Sequence, residues 1–414
     1  MSNGENVNFK KLLEFGILVS LVIFLVELTA CVTTSSKGAT PTTTSDMSET
    51  LNASTSATSP NTGTTSSTTT KTTNLLKGFY GFGAIEGIYL FHITAGSDGN
   101  LWFTLLDKNK IGKISPITGI ISTYDVPTEN AGPNDITSGP DGNMWFTETN
   151  AGKIGKISPA DGKIIEYTIP NSNGRSSKPI GIISGPDGNL WFTDDYGGKI
   201  GRFSPNDGEI IEYQFPVAGG DTGHDPADIT AGPDGNLWFI EPFGHKIGKI
   251  SPTTGSITEY NIASDGSIPA ELGCITAGPD VNLWFIEIHA GSKINTISSA
   301  TSKICNISPF TGNIISYDIP TEDSNSWIPT EPTPFGITLG PDGNLWFTEE
   351  IGKIGKISPG TGIITEYPLP FGAGSCEGIT AGPDGNLWFT EPFVNKIGKI
   401  SPIEGKIIEY VVNN

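Results

Sequence analysis

The sequence predicts a seven-bladed β-propeller of four-stranded blades, on the strength of three observations. The phrase Gly-Pro-Asp-Gly-Asn-Leu-Trp-Phe recurs with small variations and carries Trp102, Trp145, Trp191, Trp238, Trp284, Trp346 and Trp388. Those tryptophans are 43, 46, 47, 46, 62 and 42 residues apart, which is the period of a propeller blade. The 53 glycines and 30 prolines among 414 residues imply many turns and short strands.

Each repeat parses into strands and turns. In the sixth, Phe335 to Leu339 reads as the first strand and Leu345 to Thr348 as the second. Lys353 to Ile357 reads as the third, and the outer strand runs from Ile363 to Leu369. Pro-Asp-Gly-Asn and Ser-Pro-Gly-Thr-Gly lie between them, where turn geometry uses such residues. The 62-residue interval holds two insertions, a near-duplication around Ile294 to Ser302 and the stretch Glu322 to Thr330. The last repeat has its own outer strand, Ile407 to Val411, so the ring can close without borrowing one.

The propeller is expected over residues 77–414. Residues 1–30 read as a lipoprotein-type signal peptide: Lys10 and Lys11 precede an apolar run from Phe15 to Val26, too short to span a bilayer comfortably. Leu28-Thr29-Ala30-Cys31 resembles a bacterial lipobox, which makes Cys31 the expected lipidation site. Residues 31–76 are nearly all Ser, Thr, Ala, Gly, Pro and Asn, and with so little to bury they should form a disordered stalk. The expected location is the cell envelope, with a monomeric propeller held outside the cytoplasm by a lipid. Without Cys31, three cysteines remain. Cys274 and Cys305 fall on non-adjacent strands of one blade, so no essential disulfide is expected.

A formal charge of −20 repels phosphate backbones and argues against nucleic acid as a partner. The Pro-Asp-Gly-Asn and Ser-Pro turns share one face and barely vary. The opposite face carries variable loops, where function on a rigid scaffold concentrates, and a ligand or macromolecule is expected there. His224, His245 and His289 fall on those loops. So does Trp327, the one tryptophan outside the repeat, which reads either as a binding anchor or as a cover for its own blade. Six acids follow their tryptophans by three residues (Glu148, Asp194, Glu241, Glu287, Glu349 and Glu391), each near a lysine that opens the third strand. Cross-strand charge pairing is the expectation for them, a metal or substrate ring the alternative. His92 is expected to line the channel or core. No zinc-ligand spacing, nucleophile elbow, P-loop or calcium loop is present.

Units such as Gly232-Pro-Asp-Gly-Asn-Leu-Trp-Phe239, followed by Lys246-Ile-Gly-Lys-Ile250 and Ile257-Thr-Glu-Tyr260, resemble the streptogramin B lyases (virginiamycin B lyase) across all seven repeats. The resemblance implies a magnesium-dependent lyase that opens a cyclic depsipeptide by elimination, a histidine taking the proton beside a carbonyl. It also implies two catalytic histidines just before the Gly-Ile-Thr-like start of inner strands, near metal-binding glutamates. The matching positions here are Phe91, Asn134, Ile180, Ala227, Gly273, Phe335 and Glu377, and none is histidine. The leading expectation is therefore a non-catalytic binding propeller, with Trp327, His245, His289 and Phe335 as contacts. The alternative is a divergent lyase using His224 and Glu377, with Glu350 as a ligand for Mg2+.

Overall fold

The computed structural model describes residues 89–413 apart from 172–175, 197, 216–223, 263–270, 289–301, 321–332, 351 and 371–374. Cys31, His289, Trp327 and most of both insertions lie outside the described residues. Within the described residues the chain forms seven antiparallel four-stranded sheets, each with its strands in sequence order. The blades span 90–125, 133–168, 179–214, 229–261, 271–318, 334–368 and 379–411. The first strand of every blade touches that of the next, and blade 7 returns to blade 1. At this seam Trp388 and Ile397 pack against Leu90, Leu101 and Phe103. The Thr390 hydroxyl donates to the Phe91 carbonyl at 2.7 Å. The ring is a closed seven-bladed propeller, as the repeats predict.

The repeated residues explain the blade. The second strand is buried on both sides, its Trp facing the next blade and its Phe the previous one: Trp102 of blade 1 clusters with Met144 and Phe146 of blade 2. The glycine of Lys-Ile-Gly-Lys-Ile lets that Phe lie across the third strand, since a Cβ at Gly248 would stand 2.1 Å from the Phe239 ring. Each Trp is then fixed from several sides. Its indole N–H donates to the turn aspartate, as in Trp238 to Asp234 at 2.9 Å. A tyrosine of the outer strand stacks on it, here Tyr260 at 5.5 Å, and Lys249 sits 5.1 Å from its ring. The indole–aspartate bond recurs in all seven blades.

Threonines latch neighbouring blades together. Thr104, Thr147, Thr193, Thr348 and Thr390 each donate to a carbonyl on, or two residues before, the inner strand of the following blade. Ile240 and Ile286 hold the same place in blades 4 and 5 and have no hydroxyl to offer. One residue further along the inner strand, the ring closes in two ways. Asp135 reaches over to accept the Ile182 amide at 2.7 Å, and Asp228 accepts the Ile275 amide at 2.8 Å. Gly336 and Gly378 instead bring backbones together directly; a Cβ at either would lie 2.5 or 2.7 Å from a carbonyl of the next blade. Cys274, Cys305 and Cys376 are all free thiols, as expected. No helix among the described residues is long and apolar enough to cross a membrane.

Candidate functional site

Inner strands begin on the variable face, so the residues just before them ring the mouth of the central channel. Two aromatic residues meet there: the Phe91 and Phe335 rings pack edge to face at 5.8 Å, with Phe335 half-buried. Tyr89 continues the patch, 5.9 Å from Phe91, and its hydroxyl donates to Glu377 Oε1 at 2.5 Å. The other oxygen of Glu377 is buried without a hydrogen-bond partner. Burial outweighs the Tyr89 bond and, with Glu350 nearby, pushes the Glu377 carboxyl up to about 8.

Glu377 ends an arc of acids contributed by five successive blades. Glu350 is raised by burial and by Glu271, and Glu271 by burial and by Asp225. Burial raises Asp225 to about 6, and burial with Asp225 raises Asp195 to about 6. Glu271 and Glu350 keep water against their side chains, yet they stand on the wall of a recess where like charges crowd. Magnesium takes oxygen ligands and keeps several waters. The orphaned Glu377 oxygen is one that a cation would satisfy, although among the described residues only His224, Glu241 and Glu259 bring three ligand atoms within 4.8 Å of one another.

Behind the mouth lies a cavity of about 170 Å3 lined by the inner strands, including His92, Asp135, Asp228, Cys274 and Thr276. His92 Nδ1 is 2.8 Å from Asp135 Oδ1. Burial lowers the imidazole pKa, but Asp135, Asp228 and Glu377 outweigh it, so the net shift is upward. Burial raises the Cys274 thiol well above its ordinary value, with Asp228 and Asp135 adding to it, so it is no nucleophile at neutral pH.

In five blades the lysine opposite the acid that follows the tryptophan reaches a glutamate of the outer strand. Glu148 faces Lys153 across the ladder, but the ammonium lies 3.2 Å from Glu166 on the outer strand. Lys199–Glu212, Lys246–Glu259, Lys353–Glu366 and Lys396–Glu409 repeat that arrangement. Each inner acid is left buried in the seam between blades. Burial and the neighbouring glutamate raise Glu148 to about 8 and Glu391 to about 7. The register is the one expected, and in these five blades the lysine is long enough to reach the wetter outer carboxylate.

His224 belongs to the seam and not to the mouth. Its ring stacks on Phe215 at 4.4 Å, and its side chain is 8% exposed, 2.9 Å from Glu241. His245 precedes the third strand of blade 4 with φ 51°. Asn109, Gly152, Gly198, Gly352 and Asn395 take the same left-handed conformation in other blades, so the backbone there demands a turn former, and histidine tolerates the role better than most residues. The structure thus brings Phe335, Glu350 and Glu377 to one mouth and separates His224 from them. Sequence reasoning missed Tyr89, Glu271, Asp225 and the His92–Asp135 pair. The Asn-Asp-Ile-Thr and Ala-Asp-Ile-Thr starts of blades 2 and 4, against Gly-Ile in blades 3, 6 and 7, carried the signal for the last of these.

The sequence model of the virginiamycin B lyase family matches residues 90–307 and 296–414. No curated protein sequence matches the chain. Among solved structures, one similar protein is a catalytically inactive histidine-to-alanine variant of virginiamycin B lyase from Staphylococcus aureus with quinupristin. It is 36% identical over 76% of this chain and 94% of its own, with a TM-score of 0.62. A streptogramin B lyase structure is 35% identical over 76% and 94%, also at 0.62. Hydrazine synthase from Kuenenia stuttgartiensis, 13% identical over 81% and 99% at 0.60, shares the fold alone.

Proposed function

Because the chain belongs to the virginiamycin B lyase family, we propose that it is a binding propeller of that family, taking its ligand at the channel mouth without a histidine to catalyse ring opening. The observation that carries this reading is the make-up of the mouth. Phe91, Phe335 and Tyr89 offer apolar and stacking surface beside an arc of crowded acids. The seven positions that the resemblance matches to catalytic histidines hold none. His92 is engaged by Asp135, and His224 is buried in a seam. The ligand class that suits this mouth is a cyclic, aromatic-bearing depsipeptide of the streptogramin B type. The head is held at a membrane by a lipid on Cys31; Cys31→Ser should abolish labelling by a fatty-acid analogue and release the protein.

A second reading rests on Glu377, a family-matched residue whose raised pKa lets it exchange a proton near neutral pH. Glu350 and Glu271 would hold a magnesium ion, which would supply polarisation of the ester. Glu377, in its ionised form, would take the proton from the carbon next to the one bearing the ester oxygen, so that a C=C bond forms, the C–O bond breaks and the carboxylate leaves. Incubating the purified full chain with a streptogramin B and Mg2+ separates the two readings. Saturable binding with no ring-opened product by mass spectrometry supports the binding module. Ring opening that Glu377→Gln abolishes establishes the lyase, and no binding at all removes both.

A further inference from the structure

Blade 4 differs from its sisters in one seam. Blades 2, 6 and 7 place a buried glutamate, a lysine and an outer glutamate there, as in Glu148, Lys153 and Glu166. Blade 4 keeps this trio as Glu241, Lys246 and Glu259, and the chain entering the blade adds His224. His224 Nδ1 stands 2.9 Å from Glu241 Oε2 and 3.3 Å from Glu259 Oε1. One ligand atom from each of the three side chains lies within 4.8 Å of the others. Four-coordinate zinc with bonds of about 2.0–2.1 Å spaces its donors about 3.3 Å apart, close to these separations.

The cluster also has needs that protein groups leave unmet. Glu241 is fully buried, and its Oε1 has no hydrogen-bond partner. The adjoining Asp225 has a second such oxygen, Oδ1. Asp225 Oδ1 and Glu241 Oε2 lie 3.7 and 3.6 Å from one point, the place where a Cβ on Gly244 would sit. Gly244 thus keeps open the space between them. Lys246 Nζ lies 3.3 Å from Glu259 Oε1, on the outer glutamate of the trio.

We propose that His224, Glu241 and Glu259 form a site for a divalent metal of the zinc class, with Asp225 beside it, in the seam between blades 3 and 4. One imidazole nitrogen and two carboxylates are donors that zinc accepts, and the Phe215 ring stacked on His224 holds the imidazole in place. The site meets the acid arc at Asp225 and uses none of Glu271, Glu350 and Glu377, the acids that would serve the lyase at the mouth. Its effect is structural: the metal ties the chain entering blade 4 to the second and fourth strands of that blade. It also displaces the Lys246 ammonium from Glu259, so the lysine competes with the metal.

The test uses the full chain, stripped with a chelator and dialysed against zinc alone, with bound metal counted by elemental analysis. The expected result is one equivalent of zinc, with affinity lowered at least tenfold by His224→Ala and by Glu241→Gln. Glu148→Gln, in the sister seam without a histidine, should change nothing, and Lys246→Gln should tighten binding. Replacing zinc by cobalt(II) gives a reading that needs no variant, because low-coordinate cobalt absorbs strongly in the visible and a fully hydrated ion does not. Absence of that band in the wild-type chain, or zinc bound equally well by His224→Ala, overturns the proposal. Failure of this test would leave the reading of the mouth intact, since none of the four variants touches it.

Discussion

The two faces of this propeller both carry acids and treat them in opposite ways. On the turn face every repeat aspartate is surrounded by donors. Asp234 accepts the Trp238 indole, the Asn236 amide and the Asn236 side chain. Burial alone would raise such a carboxyl, but these donors and Lys249 bring it below its ordinary value. On the other face, burial outweighs the donors at several acids. Glu148, Glu377 and Glu391 sit well above the usual carboxylate range. The same strands run between the two ends, so the fold does not impose the difference. A turn can aim its own amides at a carboxylate two residues back, whereas Glu148 and Glu391 in their seams face a neighbouring glutamate that raises them further. The turn face is therefore built to hold its shape, and the loop face is left with charge that a cation or ligand can answer.

The largest effect should come from the structural end. Trp388 lies at the closing seam, fully buried against blade 1. Trp388→Ala should cost about 3–5 kcal/mol of stability in urea unfolding, and a smaller loss than from an interior repeat tryptophan would show that the seam is not closed as described. Next comes the turn acid. Asp234→Ala strands a buried indole N–H and the Asn236 donors, and should cost about 1–3 kcal/mol. A neutral outcome would break the contrast between faces, because it would mean that the donors find water as readily as the carboxylate.

The turn face was legible in the sequence for the same reason that it is stable. Its interactions are local, running from Asp234 to Asn236 and Trp238, and they repeat seven times. Phe335, Glu350 and Glu377 were reachable through the repeat register, which places them at the same end of their blades. The pairing of Lys153 with Glu166 was not, because the register lines up Cα atoms while a lysine chooses among carboxylates by reach and hydration. Nor was the fate of His224. Loop position suggested an exposed histidine, and only the fold shows Phe215 and Glu241 drawing it inward. His289 and Trp327 lie outside the described residues, and their expected contacts stand as proposals.

A pH titration sharpens the comparison further. Glu148 and Glu377 keep their protons to about pH 8 in the fold, and Glu391 to about 7, whereas an unfolded glutamate ionises near 4.5. Between those values the folded state binds more protons, so stability falls as pH rises across the window. The turn acids act the other way. Asp141, held at about 2 by Lys156, Trp145 and Asn143 against its burial, contributes above 3.8 and loses that contribution as pH falls through 2. Stability should therefore peak near pH 4 to 5 and decline toward 8. Glu148→Gln, an uncharged side chain of the same shape, should flatten that decline by on the order of 1 kcal/mol. A curve that rises from pH 5 to 8 would show the seam acids to be ionised and paired.

The smallest expected effect on stability tests the functional end. Phe335 is half-buried at the mouth and meets Phe91 edge to face. Its neighbour Ile337, not Phe335, belongs to the packed core between blades 5 and 6. An aromatic ring that is half open to water gains little by folding, so truncating it should change unfolding free energy by only about 0.5 kcal/mol. Its apolar face is instead available to a ligand ring, and losing an aromatic anchor at the centre of a contact costs roughly 2 kcal/mol or more of binding. Phe335→Ala should thus weaken a streptogramin B more than tenfold while leaving the urea midpoint nearly unchanged. Titration by intrinsic fluorescence, alongside unfolding of the same sample, gives both numbers. A variant that melts early and binds in proportion to its folded fraction would place Phe335 with the scaffold, and the two faces would then differ in charge alone.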